Sequence, residues 1–159
     1  MLVPAILHKD EILKKFKEYY YTDDMMYETS SLDNWSPEIF ENPNQGNFQY
    51  AIIDSKKNVV GYIAFYIDWY SQSAYNFGIL SFDRGNPAVG EALSEIMGQL
   101  LYVYMLHRIE WRMVGGNPIE KHYDAFCDKY NGRKIELRDV FKDKRGKYRN
   151  CYIYEIIQP

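Results

Sequence analysis

The stretch Phe77-Gly78-Ile79-Leu80-Ser81-Phe82-Asp83-Arg84-Gly85-Asn86-Pro87-Ala88-Val89-Gly90-Glu91-Ala92-Leu93-Ser94-Glu95-Ile96-Met97-Gly98-Gln99-Leu100-Leu101 reads as a strand, a tight glycine-bearing loop and an amphipathic helix. Val89, Ala92, Leu93, Ile96, Met97, Leu100, Leu101 and Tyr104 recur at helical spacing. Asn86 stands where an N-cap belongs and Pro87 where the first helical residue belongs. A helix starting there leaves backbone N–H groups unpaired and, with its dipole, offers a seat for phosphate. Taken alone, the same residues also fit an ordinary strand–turn–helix crossover.

Upstream of this stretch, Phe48 to Ile53 and Val59 to Trp69 read as strands joined by the turn Asp54-Ser-Lys-Lys-Asn58. A further turn, Tyr70 to Ser73, leads into a strand from Ala74 to Phe82, so these connections predict an antiparallel meander. The central helix is expected from Pro87 to Leu106. The alternating strand Arg108 to Val114 follows it and should lie parallel to the strand before the helix. Gly115-Gly116-Asn117-Pro118 opens a second helix lined by Ile119, Tyr123, Phe126 and Tyr130, which Asn131-Gly132 stops. Arg133 to Phe141 and Tyr148 to Ile157 form a terminal hairpin. At the other end, Pro4 to Leu7 is expected as an edge strand and Lys9 to Tyr21 as an amphipathic helix. Asp23 to Tyr27 continues that helix or starts a loop. Ser30 to Pro37 is turn-rich, with room for a short helix after Ser36, and Asn42 to Asn47 is a loop. The order predicts one α+β domain over residues 1–159, with a mixed, mostly antiparallel sheet, a central splayed parallel strand pair and flanking helices.

Composition narrows the function classes. A chain of 159 residues, nearly half of them apolar, can bury a core, and its net charge of −3 gives no global signal for nucleic acid. The 16 tyrosines suit half-buried strands and clefts. Cys127 and Cys151 match no redox or metal spacing and read as buried thiols. No cluster has metal-ligand spacing, so no metal is expected. The basic run Lys142 to Arg149 reads as a solvated turn. The N-terminus lacks the basic flank of a signal peptide, and the apolar run Val59 to Ile67 is too short to span a bilayer. The expectation is a soluble cytoplasmic protein, monomer or homodimer, with no membrane or nucleic-acid partner.

Several runs carry a family resemblance: Val60-Gly61-Tyr62-Ile63-Ala64, Asn76-Phe77-Gly78-Ile79-Leu80, Arg84 to Leu93, His107-Arg108-Ile109-Glu110, Asn117, and Gly146 to Tyr154. From Gln49 to Ile157 the chain resembles the GCN5-related N-acetyltransferase superfamily, in particular its ribosomal-protein-alanine acetyltransferase-like branch. That resemblance implies transfer of an acetyl group from acetyl-CoA to a primary amine, on a small molecule or a protein, by direct attack in a ternary complex. It also implies that Ile79, Leu80, Ser81 and Phe82 line the pantetheine, with one of their backbone N–H groups as oxyanion donor. Arg84, Gly85, Ala88, Val89 and Gly90 would hold the pyrophosphate, and Asn117 would open the next helix beside the cofactor. The family's loop pattern is Arg-x-x-Gly-x-Gly or Ala. Here Arg84 is kept, Pro87 and Val89 occupy the glycine positions, and Gly90 falls one place late. Proline offers no N–H and valine resists positive φ. The alternative function is therefore a catalytically inactive binding or regulatory protein on the same fold.

The reaction needs a neutral amine, a polarised carbonyl and a proton for the leaving thiolate. On the helix after Asn117, Tyr123 is the candidate acid. The more usual family spacing lands on Asp124, a shifted helix start would select Phe126, and Tyr123 is also read as a core aromatic. Glu110, and behind it Asp83, are candidate bases acting through a water.

Overall fold

The computed structural model describes residues 1–30, 33–41 and 45–159. The expected turn-rich segment from Ser30 to Pro37 and loop from Asn42 to Asn47 lie partly outside the described residues. A single seven-stranded sheet organises the molecule, with strands in chain order β1 (Leu2–Pro4), β2 (Asn47–Ile53), β3 (Val59–Asp68), β4 (Ser73–Ser81), β5 (Arg108–Val114), β6 (Arg133–Lys142) and β7 (Tyr148–Ile157). The spatial order is β1-β2-β3-β4-β5-β7-β6. Every neighbouring pair is antiparallel except β4 and β5, which are parallel, as the long helical connection between them requires.

Among the described residues four α-helices accompany the sheet: α1 (Lys9–Glu18), α2 (Met25–Thr29), α3 (Pro87–Gly98) and α4 (Glu120–Lys129). One core lies beneath α3 and α4, where Ile96, Met97 and Leu100 meet Ile63, Phe65, Phe77 and Trp111. The second lies beneath α1, where Ile12 and Phe16, one helical turn apart, meet Ala51, Ile53, Tyr62 and Leu80. Burying each of those two side chains contributes roughly 1.5–3 kcal/mol. An exposed ion pair contributes about 0–1 kcal/mol, so α1 is held by its apolar stripe.

Besides one-residue shifts at strand ends, five features differ from the sequence reading. Met25–Thr29 forms a helix of its own, where Asp23 to Tyr27 was expected to continue the first helix or start a loop. The edge strand is Leu2–Pro4, and Ala5–His8 coils into a 3₁₀ turn that buries Ala5. The first helix ends at Glu18, short of the predicted Tyr21, which has φ +62°. No helix follows Ser36 in the described residues 36–41. The central helix was expected to run to Leu106, yet its α-helical part ends at Gly98, a poor helix former. It continues as a π turn over Gln99–Val103, where Tyr104 N–H bonds Gln99 O at 2.8 Å. That turn buries the adjacent Leu100 and Leu101 together and leaves Tyr102 and Val103 exposed.

Candidate functional site

The site begins with one extra residue in β4. Ala74 pairs with Ile109 and Phe77 with Trp111, so three steps on β4 match two on β5; the same excess appears against β3. Asn76, at φ +52°, is the bulged residue. Beyond Phe77 and Trp111 the two strands share no further pairs. They part into a cleft of about 790 Å³, bordered by Gly78, Ile79 and Ser81 of β4, Arg112 to Val114 of β5, the starts of α3 and α4, and Tyr27 and Glu28 of α2. Its size suits a cofactor-sized ligand.

Strand alternation decides which backbone groups face the cleft. Phe82 N–H donates to Val60 O at 2.9 Å, on the β3 side. The alternate positions Ile79 and Ser81 therefore turn their backbone groups the other way, towards the cleft. Ser81 C=O accepts the Tyr19 hydroxyl at 3.1 Å. Leu80 and Phe82 place their side chains in the α1-side core, Phe82 edge-on to Phe16.

At the loop, Asn86 caps α3 as its sequence position predicts. Its Oδ1 accepts Ala88 N–H at 3.0 Å, and its Nδ2 donates to Asp83 Oδ2 at 2.8 Å. Val89 N–H bonds Asn86 O at 3.2 Å. With Pro87 lacking a donor, the first amides of α3 are already engaged. Gly85 turns the chain at φ +83°, and a Cβ added at Gly85 or Gly90 would meet open space. Arg84, Gly85, Val89 and Gly90 border the cleft. The Arg84 guanidinium is paired with Asp24 at 2.9 Å, which ties the loop to the segment that starts α2. Asn117 borders the cleft opposite, its Oδ1 accepting Ile119 N–H at 3.2 Å and shaping the entry to α4.

Tyr123 meets both readings of its position. It is 8% exposed and packs edge-on against Trp111 and Tyr154, yet it borders the cleft. Burial, with the Glu28 charge nearby, raises its phenol well above the ordinary tyrosine value. The competing positions are occupied elsewhere. Asp124 accepts the Tyr154 hydroxyl at 2.7 Å and pairs with Lys134 at 2.8 Å, while Phe126 packs against Trp111.

Glu110 lies on the β5 wall of the cleft and is gripped by Arg108 at 2.6 Å and Arg112 at 3.5 Å. Arg108 also reaches Glu155, which Arg133 clamps from β6. Burial opposes the Glu155 charge, but these two arginines win and hold its carboxyl below the usual range. Asp83 is engaged by Asn86 and is not among the residues bordering the cleft.

Sequence reasoning missed Glu28. It is half-buried on α2, which contacts both β4 and β5, and it borders the cleft. Its side chain makes no hydrogen bond and no ion pair among the described residues, and burial pushes its carboxyl up to about 8, with Arg84 opposing and Asp24 reinforcing. One signal was available: Asp24 and Glu28 are like charges four residues apart, a spacing that a free-standing helix avoids. The basic hairpin is a further surprise. Lys144 reaches Asp33 at 3.2 Å and Tyr21 O at 2.9 Å, and Arg145 reaches Asp23 at 3.6 Å, so it braces the segments flanking α2.

No protein-family profile and no curated protein sequence matches the chain. Solved structures do match. A spermidine N-acetyltransferase from Vibrio cholerae, in complex with CoA and spermine, superposes with a TM-score of 0.68 at 16% identity, covering 99% of this chain and 95% of that one. A dodecameric structure of spermidine N-acetyltransferase from Vibrio cholerae gives 0.59 at 19% identity, covering 72% and 67%. A further structure, described only as an acetyltransferase, gives 0.64 at 21% identity, covering 98% and 84%. With its mixed seven-stranded sheet, parallel β4–β5 pair and flanking helices, the chain has the fold of the GCN5-related N-acetyltransferases.

Proposed function

We propose that the protein is an acetyl-CoA-dependent N-acyltransferase acting on a primary amine. The observation that carries this reading is the parting of β4 from β5 beside the start of α3, which opens one cleft to α2, α3 and α4 together. The chain's groups suit an acyl-CoA. Ile79 and Ser81 offer backbone partners to a pantetheine arm, and a Cβ on Gly78 or Gly90 would intrude only on open space. Arg84 supplies positive charge where phosphates would lie. Bound acetyl-CoA supplies the activated acyl group. An amide at Ile79 or Ser81 polarises its carbonyl, and Tyr123 holds a proton for the departing sulfur. Glu110, neutralised by two arginines, shapes the β5 wall rather than serving as a free base. Spermidine is the first acceptor to test, because a structural relative is a spermidine N-acetyltransferase. A peptide amino terminus is the second, following the sequence resemblance.

Calorimetric titration with acetyl-CoA and desulfo-CoA tests the reading. Saturable binding and a raised melting temperature are expected; no heat and no thermal shift at millimolar ligand would sink it. The engaged amide of Ala88 and the missing one of Pro87 favour a second reading, a CoA-binding protein without turnover. Binding without acetyl transfer to any amine tried would select it.

A further inference from the structure

We propose that Glu28 seats the ammonium group of the acceptor and takes its proton, which makes the acceptor an alkylamine that arrives as a cation. The inference rests on the acyltransferase reading for its catalytic half. Its binding half stands on the cleft itself.

Three observations lead to it. Of the two cleft carboxylates, Glu110 already has two arginine partners, whereas Glu28 has no ion-pair or hydrogen-bond partner among the described residues. An unpaired, half-buried carboxyl on the wall of a cleft is a candidate functional group. Second, Glu28 and Tyr123 border one cleft and are close enough for the Glu28 charge to act on the Tyr123 phenol, so a proton acceptor and a proton donor flank the same space. Third, α2 carries no other charged side chain into the cleft, and the arginines that border it are committed: Arg84 to Asp24, Arg108 to Glu110 and Glu155, and Arg112 to Glu110. An incoming ammonium therefore supplies the missing counter-charge. Burial favours the neutral acid, which is the form Glu28 reaches on accepting the proton.

The protons balance. The ammonium gives one proton to the Glu28 carboxylate, which later releases it to water. The neutral nitrogen then forms the C–N bond as the C–S bond breaks. Tyr123 gives its proton to the sulfur and regains one from the nitrogen, so one amine proton ends on the thiol and one in solution. Among the described residues, the charged and titratable groups within electrostatic reach of Glu28 are Asp24, Arg84, Tyr19 and Tyr123. With these fixed, kcat/KM should rise with pH through the Glu28 transition.

The test uses n-butylamine and spermidine as probes, at a pH above that transition, on the wild type, Glu28→Gln, Glu28→Asp and the charge control Asp10→Asn. Calorimetry should show alkylammonium binding that falls roughly 10- to 100-fold in Glu28→Gln, recovers in part in Glu28→Asp and is unchanged in Asp10→Asn. Desulfo-CoA should bind the wild type and Glu28→Gln alike, which also shows that the variant is folded. Alkylammonium binding equal in wild type and Glu28→Gln overturns the proposal. Desulfo-CoA binding with no Glu28-dependent ammonium binding removes this site and leaves the acyltransferase reading. Glu28-dependent ammonium binding without desulfo-CoA binding keeps the site and removes the acyltransferase reading.

Discussion

Tyr123 holds its proton more tightly than a free tyrosine, because burial penalises the phenolate. A thiol releases its proton at about 8.5 and a free phenol at about 10. In the proposed reaction, transfer from Tyr123 to a thiolate is therefore uphill and must be drawn by bond breaking. Tyr123→Phe keeps the ring against Trp111 and Tyr154, so kcat should fall by about 10- to 100-fold, at the low end of general acid–base effects, while desulfo-CoA affinity stays constant. Steady-state kinetics beside calorimetry separate this from a packing role, in which the melting temperature would drop and kcat would not. Glu28 gives a stability prediction with a definite sign. The unfolded chain loses this proton near 4.5 and the folded chain near 8, so folding favours the protonated form. Its contribution is complete below pH 4.5, declines between 4.5 and 8, and is gone above. Urea unfolding of wild type and Glu28→Gln should show the variant gaining on the wild type as pH rises through that window, and parallel curves would refute the assignment.

At the scale of elements, the loop before α3 and the start of α2 share one guanidinium. Arg84 is paired with Asp24, so a phosphate that engages Arg84 competes with that carboxylate. Asp24→Asn should tighten desulfo-CoA binding by a few-fold at low ionic strength, since exposed pairs are worth about 0–1 kcal/mol, and the gain should shrink as salt is added. Calorimetry at two salt concentrations decides it. The α3 start was legible because Asn86 and Pro87 are strong local signals whose effect ends within a turn. What the loop residues bond to was not legible. Asn86 uses its side chain on Ala88 N–H, which removes a donor that the sequence reading gave to phosphate. Glu28 stayed hidden because its importance comes from where α2 docks, and a five-residue helix carries no periodic pattern to announce that.

Over the whole molecule, the β2–β3–β4 meander, the parallel orientation of β5 to β4 and the terminal hairpin were readable, since connection length limits how neighbouring strands can lie. The end of the central helix was not. Gly98 and the run Leu100-Leu101 allow two continuations, and the core selects the π turn. The layer beneath α1 depends on a few large side chains. Phe16 meets Tyr62, Phe82 and Trp35 edge-on, and Phe16→Ala should cost about 3–5 kcal/mol. Chemical denaturation would measure that directly, and a loss below about 1 kcal/mol would mean that the layer repacks.

The bulge at Asn76 also sets the phase of β4. Ala74 and Phe77, three apart, both face the core under α3, and the alternation that restarts at Phe77 sends Leu80 and Phe82 to the core under α1. Deleting Asn76 would zip β4 to β5 and at the same stroke exchange the inward and outward faces of everything after it. Leu80 would leave one interior and Phe77 the other. The opening between the strands and the filling of both interiors thus have a single common cause. Substitution could remove the proposed proton donor or the proposed phosphate contacts and leave the shape intact. Closing the opening would require both interiors to be rebuilt, so the groove is more durable than any side chain that lines it.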